Sequence, residues 1–171
     1  VNGVQITKTF NNKDVLTIGA EYNYSATEDQ IPGYDRLVDQ NVNTLGGYAQ
    51  YEWKPSDQFS ALLGTRLDNV NVFGNYSVGG LERDLDLNQT ALSPRLTLSY
   101  KLTEAWRLRA GYARGFRAPQ TFNEDLHISS VGGEPQFVLL SDDLDTEFSN
   151  AFTGSVNYSK TKDLLQLDVL M

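Results

Sequence analysis

A catalytic carboxylate–histidine pair needs an imidazole beside an oriented acid, and this chain has one histidine, His127. Glu124, Asp125 and Asp142 are available to it, but acids are spread through every long polar stretch. Nothing singles out a partner, so no enzyme is expected, and His127 is read as a loop residue and candidate ligand contact. Asp142, Asp143, Asp145 and Glu147 place hard oxygens close together. A calcium loop also wants a glycine at its bend, and this segment lacks one, so neither metal nor cofactor is expected. Arg114, Phe116, Arg117 and Pro119 form the most characteristic group. Pro119 ends strand pairing because it has no amide hydrogen. Phe116 can anchor the base of a loop, and the guanidinium groups can pair with carboxylates or with a ligand. Tyr34, Arg36, Tyr76 and Arg83 join Arg117 and His127 as candidate ligand contacts, since aromatics and arginines supply most binding energy at such surfaces.

The elements that must hold these residues show in the alternation of apolar and polar positions. Between Leu92 and Gly115, two such runs meet at a polar turn spanning 101–105. Leu92, Leu96, Leu98 and Tyr100 share one parity of the first run, and Trp106, Leu108, Ala110 and Tyr112 share one parity of the second. Arg95, Arg107 and Arg109 take the other parity, which in a strand is the other face. The pattern recurs and predicts eight antiparallel strands over 4–10, 15–24, 44–53, 59–69, 90–100, 106–115, 148–158 and 164–171. Strands of about ten residues suit a tilted bilayer crossing. Short connections (11–14, 54–58, 101–105, 159–163) alternate with long ones (25–43, 70–89, 116–147). That alternation is the habit of outer-membrane barrels, with tight periplasmic turns and long external loops.

Charge sorts with face. With the apolar side chains outside, Glu21, Glu52, Arg66, Asp68, Arg95, Arg107, Arg109 and Asp168 all point inward, and Lys8 breaks the rule. An Arg or Lys against lipid at mid-depth costs about 2–4 kcal/mol, so the sorting has a physical cause. Phe10, Trp53, Phe59, Tyr100, Trp106 and Tyr158 gather at the short turns, where amphipathic rings suit a headgroup boundary. Pro94 removes one ladder bond, so a bulge is expected at 93–95. The long connections carry fourteen acids against Arg36, Arg83 and Arg117. They read either as solvated loops or as an electronegative mouth drawing in a cationic or metal-bearing ligand.

Composition sets the outer limits. The 171 residues include no cysteine, the net charge is −8 and the mean hydropathy is −0.40. No nucleic-acid partner is expected of so acidic a chain. No run of about 18 apolar residues suggests a membrane helix. Both ends fall in mid-pattern, so the chain is expected to be part of a wider barrel. Open edges would then close on each other, pair with a second copy or aggregate.

The stretch SPRLTLSYKLTEAWRLRAGYARGFRAP, followed by a long loop, by SDDLDTE (141–147) and by a strand, resembles the TonB-dependent outer-membrane receptors. The likeness is specific at Ser93-Pro94-Arg95 and at Gly115-Phe116-Arg117-Ala118-Pro119, and QTFNEDLHISSVGGE is most like receptors of the Bacteroidetes. The resemblance implies a barrel of about 22 strands filled by an N-terminal plug. It implies energy delivered through TonB, outer-membrane lipid around the wall, and a siderophore or cobalamin as ligand. Plug, TonB box and the usual aromatic strand end are absent from these residues, so this piece alone is not expected to transport. The other readings are a complete eight-stranded adhesin or structural barrel, an outer-membrane hydrolase built on His127, and a soluble β-sandwich.

Overall fold

Period-two alternation is realised as one antiparallel sheet. The computed structural model describes residues 1–78, 80–118, 129–131, 134–136, 145–160 and 165–170. Its strands are β1 (Asn2–Thr9), β2 (Val15–Ile31), β3 (Arg36–Trp53), β4 (Phe59–Val78), β5 (Leu81–Lys101), β6 (Trp106–Arg117), β7 (Ser129–Val131), β8 (Glu134–Gln136), β9 (Glu147–Lys160) and β10 (Leu165–Leu170). Eight of them form a single sheet in the order β1-β2-β3-β4-β5-β6-β9-β10, and β7 and β8 make a separate short hairpin. Among the described residues no helix is long and apolar enough to cross a membrane.

The register carries the two faces across the whole sheet. Leu16, Tyr51, Leu63, Leu96, Tyr112 and Phe152 are successive partners on six strands, and they form one outward row. Lys8, the exception, lies opposite Leu16 and rests its ammonium 5.2 Å from the centre of the Phe10 ring at the turn. The turn-end aromatics meet in pairs: Trp53 stands edge-on to Phe59 at 6.1 Å, and Trp106 lies 4.8 Å from Tyr158. Such pairs suit the interface between lipid tails and water.

Two expectations change. The first two long connections are mostly strand: residues 25–31, 36–43, 70–78 and 81–89 continue the ladder. The β2–β3 hairpin turns through a 3-10 turn at Pro32–Tyr34, closed by left-handed Asp35 (φ 49°). β4 has 20 residues, twice the roughly 9–11 that a crossing needs, so its upper half stands clear of the bilayer. Pro94 makes no bulge: it pairs in register with Thr65, and the β5–β6 ladder instead ends at Arg95 with Ala113. Without an N–H, Pro94 has no donor to extend that ladder. Among the described residues the sheet is open, with β1 bonded only to β2 and β10 only to β9.

Polarity inverts along the hairpins. Below the boundary the outer face is apolar and the inner face charged. Above it the inner face carries the apolar side chains, and Val38, Val70, Val72, Tyr76, Leu85 and Leu87 form a buried cluster. The outer face there carries Asn, Tyr, Asp and Glu. Water stands on the outside at that height, so the hairpins need a core of their own.

Candidate functional site: the inner wall

The inner wall has three storeys, each set by the register. At the external storey Arg36 lies opposite Val78, Val38 opposite Tyr76, and Tyr76 opposite Arg83. The structure thus brings together three of the six candidate contacts. Tyr76 (3% exposed) donates its hydroxyl to Gln40 Oε1 at 2.7 Å, within the apolar cluster. Arg36, equally buried, faces Asp29 with Nη1 and Oδ2 3.7 Å apart. Both side chains therefore help build the storey. Phe116 and Ala118 pack against the same cluster, and Thr146 donates to Gln89 Oε1 at 3.2 Å. Both described ends of the third long connection are thus tied to the inner face of the outer hairpins. Phe116 anchors the loop base, as its place in the sequence suggested.

Tyr34 sits at the β2–β3 turn, and Arg117 ends β6 opposite Glu147. His127, Glu124, Asp125, Pro119, Asp142 and Asp143 lie outside the described residues. Among the described residues no group of three or more His, Asp or Glu is placed to hold a metal ion. Of the acids in the first two hairpins, Asp29 lies on the inner face beside Arg36, while five others point outward. Glu28, Asp39 and Asp84 fall in one outward row with Asn75, and Glu82 and Asp86 share that face.

The middle storey was not foreseen as a unit. Arg66 directs Nε to both oxygens of Asp68 at 2.8 and 2.9 Å and Nη1 to Glu21 Oε2 at 2.6 Å. Its guanidinium lies 5.8 Å from the centre of the Tyr48 ring, whose hydroxyl reaches across Gly19 to Gln5 Oε1 at 2.8 Å. A Cβ at Gly46 would collide with the Arg66 guanidinium and Asp68, and one at Gly19 with the Tyr48 ring. Two glycines thus open the space that lets four strands share one charged network. The sequence signal was the shared parity of Glu21, Gly19, Gly46, Tyr48, Arg66 and Asp68, which only the register could assemble.

At the periplasmic storey, Arg107, Arg109 and Lys101 line two open recesses of about 700 and 610 Å³. Lys13, Lys54 and Asp57 complete the first recess, and Glu104 joins the second. Below it, Asp14 staples two turns together. Its carboxylate accepts from the Tyr51 hydroxyl (2.5 Å), the Lys54 amide (2.7 Å) and the Asn12 side chain (2.6 Å). Asp14 is 1% exposed, shielded by the turns themselves rather than by depth in a core. These donors, the Tyr51 hydroxyl foremost, hold the carboxyl below its ordinary value. A depressed carboxylate stabilises fully above the unfolded value of about 3.9, and that contribution fades as pH falls through the lower folded value. Asp14→Asn is therefore expected to lower the denaturation midpoint by a constant amount from pH 8 to about 5. The gap should close on acidification below about 4, as read by tryptophan fluorescence against urea.

A sheet apolar outside, charged inside and capped by aromatic pairs at its short turns is the wall of a transmembrane β-barrel in an outer membrane. A family model described as "TonB dependent receptor-like, beta-barrel" matches residues 2–169, and the chain belongs to that family of outer-membrane receptors. It is 27% identical over 107 residues to the "Iron-regulated outer membrane virulence protein" of Vibrio cholerae serotype O1, in each of two strains. That match covers 62% of this chain and 14% of the relative. It also superposes on the ferric yersiniabactin uptake receptor FyuA of Yersinia pestis with a TM-score of 0.66 at 15% identity, a likeness of fold. The superposition covers 93% of this chain and 26% of that receptor. The chain thus spans about a seventh of the curated relatives and a quarter of the solved receptor.

Proposed function

We propose that this sheet is part of the barrel wall of a receptor that imports a scarce nutrient, a ferric siderophore by first preference and cobalamin by second. The carrying observation is the inner wall, where ordered charges and open cationic recesses face a space sealed from lipid by the apolar outer face. Such a lining suits the passage of a polar, often anionic, chelate. The names of the similar proteins, one iron-regulated and one a ferric siderophore uptake receptor, favour iron. In this reading the remaining strands and a plug complete the receptor, TonB supplies energy, and no step is enzymatic. Of the candidate contacts, Tyr34, Arg83, Arg117 and His127 bind the ligand in this reading, and the buried Arg36 and Tyr76 act as packed support.

The test is growth of a receptor-deleted strain carrying the full-length gene, on a panel of ferric siderophores and on cobalamin, with and without functional TonB. TonB-dependent rescue on one ligand is expected. Equal growth without the gene would overturn the import reading and favour the adhesin. Arg83→Ala is expected to weaken uptake affinity about tenfold. Tyr76→Phe, which breaks the bond to Gln40, should lower stability while leaving affinity within about twofold.

A further inference from the structure

We propose that the outer face of the β2–β3 and β4–β5 hairpins, just above the lipid band, is a binding surface for saccharide, taken up from the glycolipid headgroups of the surrounding outer leaflet. Three amides there form a closed ring. Asn69 donates to Asn88 (2.9 Å), Asn88 to Asn71 (2.5 Å) and Asn71 back to Asn69 (3.1 Å), and Asn69 also reaches Thr90 (3.2 Å). A side-chain amide has two N–H donors and a carbonyl with two lone pairs. Asn71 and Asn88 each give one donor and one lone pair to the ring, so each keeps one of both, held in fixed orientation. A neighbouring donor and acceptor are what a sugar hydroxyl needs, since it both gives and takes a hydrogen bond.

Two strands over from β4, β2 supplies two tyrosine rings. The Tyr24 hydroxyl is fixed on Asn41 (2.5 Å) and the Tyr22 hydroxyl on Asn43 (2.7 Å). Their faces remain open, Tyr24 at 54% and Tyr22 at 44% exposure, with Phe73 at 41%. Aromatic faces pack on the C–H side of sugar rings by the same burial of apolar surface that drives other contacts. Tyr24, Asn43, Asn71 and Asn88 are consecutive partners in one row, so rings and amides form a continuous strip.

Its height settles the occupant. Asn69 and Asn71 come ten and twelve residues after Phe59 at the periplasmic boundary, where a tilted strand has just completed a crossing of about 9–11 residues. The strip is continuous with the lipid-facing rows below it and so meets whatever stands directly on the hydrocarbon. In an outer leaflet that is sugar. Asp86 in the outward row above, and Glu28, Asp39 and Asp84 in the row beyond it, disfavour bare phosphate.

The experiment uses the full-length receptor in vesicles of phosphatidylcholine alone or with a matched fraction of either digalactosyldiacylglycerol or phosphatidylglycerol. Retained lipid is counted by native mass spectrometry. The galactolipid is expected to be retained selectively, and the double substitution Asn71→Ala with Asn88→Ala is expected to reduce that retention about tenfold. If the double variant unfolds in plain phosphatidylcholine, Tyr24→Leu on the adjoining hairpin is read in the same assay and should lose retention. Equal retention in wild type and variants, preference for phosphatidylglycerol, or no preference for either lipid would each overturn the proposal.

Discussion

Leu63→Arg is expected to cost the full-length receptor about 2–4 kcal/mol of stability in a bilayer. Leu63 lies between Tyr51 and Leu96 in the outward row, half exposed, and four residues above Phe59. That is near mid-depth for a crossing of about 9–11 residues, where a guanidinium has no water within easy reach. Gln50, on the same sheet but on the inner face between Thr17 and Gly64, is the control. Gln50→Arg adds the same charge to an aqueous interior beside Glu52, and its cost should stay within about 0.5 kcal/mol. Urea unfolding in vesicles reads both. Equal losses would mean that the two faces meet the same solvent, and the membrane assignment would fall with them.

Arg66→Met should cost about 3 kcal/mol, the lower end of the range for breaking a buried ion pair, because the Arg66 side chain is a third exposed. The loss falls on Asp68, whose carboxylate is 1% exposed and would be left buried without its cation, and on Glu21, which loses its 2.6 Å contact. Removing the stranded charges as well is the informative step. The triple variant with Glu21→Gln and Asp68→Asn should recover more than half of the loss, because replacing all the charges is far cheaper than orphaning two. Additive losses would show that the three side chains act independently.

The sequence announced the wall but not the height of its hairpins. Leu63 and Leu67 lie on one parity of β4 and Val70 and Val72 on the other, and in β5 Leu85 and Leu87 precede Leu92 with the same slip. A reader following one apolar face sees the pattern stop near Asn69 and assigns a loop. In fact the strand runs on and only the side facing water changes. The Arg66 network shows a different limit. Arg66 and Asp68 are two apart and plainly share a face, but Glu21 lies 45 positions from Arg66, and only the register joins them. Arg36 and Tyr76 were picked out by residue type. Their burial depends on the inner cluster, which the slipped parity concealed. Phe116 was legible because an aromatic just ahead of a proline, at the end of a clean alternating run, has few other roles.

Because the upper hairpins carry their own hydrophobic interior, their stems do not depend on the crowns for support. Among the described residues, the members of the buried cluster, Val38, Val70, Val72, Tyr76, Leu85 and Leu87, all stand on the stems, and the crowns are the few positions that join them. Selection can rewrite those few positions for a new cargo while the stems keep their footing, so an old wall can be refitted with a new specificity without being refolded.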